Sequence, residues 1–169
     1  MHVQGIRSLV ITAVLVALVA VATMVIQVPM PGTKGFVNIG DTIIFVGGGL
    51  FGGTVGLVAG GLGSALADLL AGYPHWAPWT LLIKGIEGLI VGLMVYPGVR
   101  KGLGVRRTLA GLAVAGLWMV FGYFLAATII YGSPVVAATS IGGNVGQAVA
   151  SIALAIPLIQ ILRHRVDPL

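Results

Sequence analysis

The sequence predicts an all-α integral membrane protein of six transmembrane helices, with both ends of the chain in the cytoplasm. Three observations carry this prediction. Of 169 residues, 58% are hydrophobic and 8% charged, with a mean hydropathy of +1.10, whereas a soluble domain carries about 25% charged residues. The apolar residues fall into runs of the length that crosses a hydrocarbon layer, about 20 residues of helix. Seven of the nine Lys and Arg residues lie in three places: Arg7, then Arg100, Lys101, Arg106 and Arg107, then Arg163 and Arg165. Six crossings put these three places on one side, and basic residues mark the cytoplasmic side.

The spans follow in chain order. The first is 9–28, ended by "PMPG". Its apolar stretch is longer than the core of a cleaved signal peptide, although Arg7 and "ALVAVAT" fit one weakly. The next run continues from Asp41 to Leu70, too long for one ordinary crossing, and "GGGLFGG" at 47–53 breaks it into helices at 41–51 and 54–71. The fourth span is 80–95, ended by "YPG", the fifth is 109–131, ended by "GSP", and the sixth is 136–162. Residues 1–169 then form a single transmembrane domain. Its loops at 29–40, 72–79 and 132–136 face outside.

Composition narrows the chemistry. Cysteine is absent, which excludes disulfides and thiolate metal sites. The net charge of +5 matches cytoplasmic loop charge, and no basic run with interleaved aromatics points to a nucleic-acid partner. Histidines at 2, 75 and 164 form no cluster for a metal.

Polar residues inside the spans are the candidate functional groups, because charges at that depth face the bundle interior or a cavity. They are Asp41, Asp68, Lys84 and Glu87. Lys84 and Glu87 stand three apart and share a helix face. Two readings stand: an internal ion pair that closes the bundle, or a ligand-binding pair in which Glu87 accepts and Lys84 donates. Asp68 ends the third span. Asp41 begins the second, where "NIGD" offers N-cap residues and a capping role. In the sixth span Ser140, Asn144, Gln147 and Ser151 form one polar stripe, spaced four, three and four. Such side chains hydrogen-bond between membrane helices. The stripe also lies at the depth of Lys84 and Glu87, which suggests a shared pocket. Phe124, Thr128 and Tyr131 share a face of the fifth span, with Tyr123 and Trp118 below them read as packing.

The outer loops add aromatics. "YPHWAPW" places Tyr73, His75, Trp76 and Trp79 within seven residues. They serve an interfacial belt or a lid over a pocket with aromatic faces for a ring-shaped ligand. Gly48, Gly52, Gly56, Gly60 and Ser64 recur every four residues, a spacing that lets helix backbones approach closely. That repeat drifts about 40° per step on a 3.6-residue helix, so the five do not all share a face. No Lys-Ser/Thr follows "GGGLFGG", so it is not a phosphate loop. Ala13 and Ala17 give the first span a smooth face, for packing within the chain or against a partner's helix.

In their order, these features resemble the S component, the substrate-binding membrane subunit, of energy-coupling factor (ECF) vitamin transporters. The resemblance rests on the six spans, the Pro/Gly first loop and Ala13-xxx-Ala17. It rests also on "GLGSALADLLAGY" (61–73), "IKGIEGLIVG" (83–92) and Asn144 in "GGNVGQ". Within the family it is most similar to the hydroxymethylpyrimidine- and pyridoxine-type branch, with riboflavin or thiamine as alternative substrates. The resemblance implies a prokaryotic plasma-membrane protein that captures a small vitamin from outside and is not itself an enzyme. It implies a pocket in the outer half of helices four to six, under the first, third and fifth loops. For this chain the binding residues would be Glu87, Lys84, Asn144, Gln147, Trp79, Trp76, His75, Asp68 and Tyr131. The Ala13/Ala17 face would dock on a transmembrane coupling subunit carrying two ATPase subunits. ATP is used there, and no cofactor is bound by this chain. Two other classes stay open: a stand-alone carrier, and an intramembrane enzyme for which Ser64 with Asp68 is the one tempting pair.

Overall fold

The computed structural model describes residues 3–30, 32–102 and 104–166; His2 and Pro31 lie outside them. Helix α1 (Val3–Val25) leads into a two-stranded antiparallel hairpin, β1 (Val28–Met30) and β2 (Gly35–Val37). Then come α2 (Gly40–Phe51), α3 (Gly53–Leu70), α4 (Ala77–Met94), the short α5 (Tyr96–Arg100), α6 (Val105–Tyr131), the short α7 (Pro134–Ala138) and α8 (Ile141–Leu162). Five stretches are long and apolar enough to span a bilayer: α1, α3, α4 with α5, α6, and α7 with α8.

The sixth element is the short one. Twelve residues of α2 make about 18 Å of helix, against about 30 Å of hydrocarbon. Its inner end turns back at Gly52, whose φ of 94° is open to glycine and strained for other residues. The hairpin folds over the outer end of α2. It was not foreseen in the all-α reading: two three-residue strands in a Pro/Gly loop leave no alternating pattern to detect. Other boundaries move too. The first helix stops at Val25 rather than at 28, and α4 starts at Ala77, which puts Trp79 in a helix instead of a loop. The predicted span 136–162 is interrupted at Thr139 and Ser140 between α7 and α8.

Glycine sets the helix spacing. A Cβ built on Gly56 would lie 2.3 Å from the Gly88 carbonyl oxygen, and one on Gly88 would lie 2.1 Å from that of Gly56. Gly60 meets the Lys84 carbonyl in the same way, and Gly92 meets the backbone of Gly53. Helices α3 and α4 thus pack antiparallel, backbone to backbone. Gly63 accepts α1 at Val16 and Val19. Below the outer third, Phe45, Leu50, Val91, Val95, Leu112 and Ile159 form an apolar core. The outward faces carry exposed Leu9, Val14, Leu18, Leu117, Phe121 and Ile129, as a lipid-facing surface does.

Replacing Gly88 with Val is expected to cost at least about 2 kcal/mol by overpacking this seam. Gly146→Ala, where an added Cβ meets nothing within 4 Å, is expected to be neutral or stabilising by about 0.5–1 kcal/mol. Thermal unfolding in detergent checks both.

Candidate functional site

Lys84 is 2% exposed, and Asp41 and Glu87 are fully buried. The Lys84 ammonium binds the Asp41 carboxylate across 43 residues of sequence. It also lies 3.0 Å from Glu87 Oε2, one turn along α4. The Nζ stands 5.5 Å from the ring centroid of Tyr123 on α6, within reach of a cation–π contact. On the far side, Gln147 Nε2 donates to Asp41 Oδ2 at 2.9 Å, and the Asn38 backbone N–H donates to Gln147 Oε1 at 2.7 Å. One chain of polar contacts therefore joins α4, α2, α8 and the segment that leaves the hairpin. Asp41 does not cap α2. Its carboxylate is spent on Lys84 and Gln147, and Asn38 Oδ1 takes the Gly40 N–H instead.

Above this network lies a cavity at the outer end of the bundle. Its floor and walls include Ser64 and Asp68 from α3, Thr80 and Lys84 from α4, Tyr123 from α6, and Ser140, Asn144 and Gln147. Thr23 of α1 and Trp76 complete the sides, and Met30, Thr33, Phe36 and Asn38 of the hairpin region close it. About 30 Å³ is open to water, room for two or three molecules. That space is too small for a ring-sized molecule as it stands. The walls are aromatic on one side: Trp76 meets Tyr123 edge-on with centroids 5.8 Å apart and Tyr131 at 6.3 Å. Phe36 of β2 packs on Tyr73 at 5.1 Å. The Tyr131 hydroxyl donates to the Thr33 carbonyl, fastening the hairpin to the end of α6.

The predicted residues divide. Lys84, Asp68, Trp76, Asn144 and Gln147 line the cavity together. Glu87 sits behind Lys84 and does not line it. Tyr131 supports Trp76 and Thr33 from outside the lining. Trp79 is half-buried against the apolar cluster around Trp76, and His75 is exposed beside Tyr73 and Trp76. Ser151 is buried below the site. Among the described residues no three His, Asp or Glu side chains form a metal-binding group.

Several lining residues were missed from sequence. Tyr123, read as packing, bonds to Thr80 Oγ1 through its hydroxyl at 3.2 Å. It lies two turns from Gly116, whose bare face meets Ala148 of α8, so the interior stripe of α6 already contained it. Thr80 stands one turn before Lys84, and Ser64 one turn before Asp68, spacings that place each pair on one face. Thr33, Phe36 and Asn38 depended on a hairpin that carries no such period.

A family model described as "ECF-type riboflavin transporter, S component" matches residues 3–164. An uncharacterized protein of Pyrococcus woesei is 42% identical over 151 residues, covering 89% of this chain and 98% of that protein. The thiamine precursor transporter HmpT of Lactococcus lactis subsp. cremoris (strain MG1363) is 31% identical over 130 residues, 76% of this chain and 72% of its own. A UPF0397 protein of Streptococcus pneumoniae (strain Hungary19A-6) is 46% identical over 44 residues, 26% of this chain and 24% of its own.

Lys84→Met alone strands two buried carboxylates and is expected to cost about 3–5 kcal/mol. The triple variant Asp41→Asn, Lys84→Met, Glu87→Gln removes all the charge and is expected to recover most of that loss. Unfolding midpoints of the two proteins in detergent make the comparison.

Proposed function

The chain belongs to the family of ECF-type riboflavin transporter S components, multi-pass proteins of the prokaryotic plasma membrane, and from that premise we propose its own task. It captures a small B-type vitamin or vitamin precursor, a ring compound of pyridoxine or hydroxymethylpyrimidine size, from the outer face. Partner subunits then drive uptake with ATP. The observation that carries this reading is the cavity itself. It lies at one end of the bundle, is walled by aromatic rings and polar side chains, and is closed by a hairpin small enough to swing aside. Beneath it the apolar core around Phe45, Val91 and Ile159 seals the bundle. That arrangement suits capture followed by a separate release step, and not a continuous channel.

The bound ring stacks against Trp76 and Tyr123, with Asp68, Asn144 and Gln147 as hydrogen-bonding groups at its edge. Lys84 and Glu87 brace the floor. Riboflavin, the substrate in the family model's description, and thiamine remain alternative ligands of the same pocket. ATP hydrolysis belongs to two ATPase subunits, reached through a transmembrane coupling subunit. The docking face is α1, the least buried of the long helices, where Ala13 and Ala17 are both exposed.

Calorimetry of the detergent-purified protein against pyridoxine, pyridoxal, hydroxymethylpyrimidine, thiamine and riboflavin tests the reading; silence across the panel from folded protein overturns it. Asn144→Ala is expected to weaken the bound member about 10-fold, one hydrogen bond's worth, with the unfolding midpoint unchanged. Ala13→Trp with Ala17→Trp is expected to leave that affinity intact and abolish uptake by liposomes holding the assembled transporter. Uptake by liposomes holding this chain alone is expected to be nil, and uptake there would make it a stand-alone carrier.

A further inference from the structure

The charge inventory of the site does not balance. Three carboxylic acids, Asp41, Asp68 and Glu87, are buried in one region of the bundle with a single basic side chain, Lys84. Lys84 is the only cation among the described residues that line the cavity. Its ammonium has three protons to give. It is held by Asp41 and Glu87 and faced by the Tyr123 ring. Its charge is already shared between two carboxylates, which makes it a weak anchor for an anion. Glu87 and Asp41 are turned toward Lys84, which leaves Asp68 as the acid that faces the cavity. Asp68 is 6% exposed. Its Oδ2 is buried without a hydrogen-bond partner among the described residues, as is Asn144 Nδ2 on the opposite wall. Trp76 and Tyr123 supply ring faces beside it, and the negative face of an aromatic ring attracts cations. Uncompensated charge in a desolvated site is costly, and a binding partner of opposite sign removes the cost.

We infer that this pocket takes its ligand as a cation: a planar nitrogen heterocycle with a fixed or proton-borne positive charge, its N–H or ring charge at Asp68 and its plane against the aromatic wall that Trp76 and Tyr123 form together. The same arrangement rejects the phosphorylated form of such a compound, whose added negative charge meets carboxyl groups and a lysine already engaged. A neutral flavin leaves the imbalance in place and is the weaker ligand of this pocket. This inference rests on the proposed role as a vitamin-binding subunit and narrows its substrate class.

The test is made on the wild-type chain in detergent by calorimetry. The probes are thiamine, pyridoxine, pyridoxal and hydroxymethylpyrimidine as cationic or protonatable rings, riboflavin as a neutral one, and thiamine monophosphate and pyridoxal 5′-phosphate as phosphate esters. The expected result is binding of a cationic or protonatable ring, with its ester bound at least about 100-fold more weakly for want of a cation. Asp68→Asn, which keeps shape and removes charge, is expected to weaken that ring roughly 10- to 100-fold, the range of a charge-assisted hydrogen bond. Tightest binding of riboflavin or of an ester overturns the cation assignment while leaving the vitamin-binding role intact. So does an affinity that Asp68→Asn does not move. Silence of every probe overturns the role and the assignment together. Should Asp68→Asn fail to fold, the comparison of ring with ester on the wild-type chain decides alone.

Discussion

Everything at the outer end of this bundle depends on a lysine that has to be neutralised inside a membrane. A charge at that depth is tolerated when it is paired and shielded. Lys84 meets the condition with one acid from its own helix and one from α2. Asp41 in turn needs a second partner, and Gln147 of α8 supplies it. Gln147 holds the backbone at Asn38, where the hairpin rejoins the helices. A single buried cation thereby fixes the relative position of three helices and of the segment that roofs the cavity. The pairing contributes little as net stability, because desolvation offsets most of the Coulomb attraction. Its effect is to specify which helices meet and at what height.

Glycine makes that meeting geometrically possible. Lys84 can turn toward α2 because its own backbone lies against the bare surface of Gly60. The glycines of α3 and α4 remove a layer of side chains between the two helices. Lacking a hydrophobic driving force in lipid, they gain close van der Waals contact instead. The short α2 then has a structural purpose. A full-length helix there would fill the outer end of the bundle, whereas about 18 Å of helix ends where the polar network begins. The hairpin closes the cavity above it, and the family's task of binding a small molecule is built into a difference in helix length.

Much of this was legible in the sequence because membrane spans are long and their exceptions few. The hydrophobic runs gave the helices. The three-residue spacing of Lys84 and Glu87 gave their shared face, and the 140–144–147 spacing gave the stripe on α8. What stayed hidden was long-range or aperiodic. Asp41 looked like a helix cap because local sequence shows a cap's neighbours, and its true partner is 43 residues away. The hairpin was hidden in a loop whose two strands are three residues each. Trp79 was assigned to a loop because "YPHWAPW" reads as irregular chain up to its last residue, yet the helix starts at Ala77 with Pro78 in its first turn, where proline is tolerated.

The order of the ionic partners along the chain bears on how the protein is made. As an isolated segment, α4 is a poor candidate for insertion: lysine at a helix centre costs about 2.5–3.5 kcal/mol on insertion scales, and Glu87 adds to it. Asp41 precedes Lys84 in synthesis, and α2 and α3, whose glycines α4 packs against, are made before α4 leaves the ribosome. The nascent α4 thus meets its counter-charge and its packing groove in the bilayer at once. Gln147, on the last helix, arrives to complete a network whose charged members are already paired. Lys84 thus reaches the membrane after the carboxylate that neutralises it, so insertion never has to carry a lone lysine across the lipid.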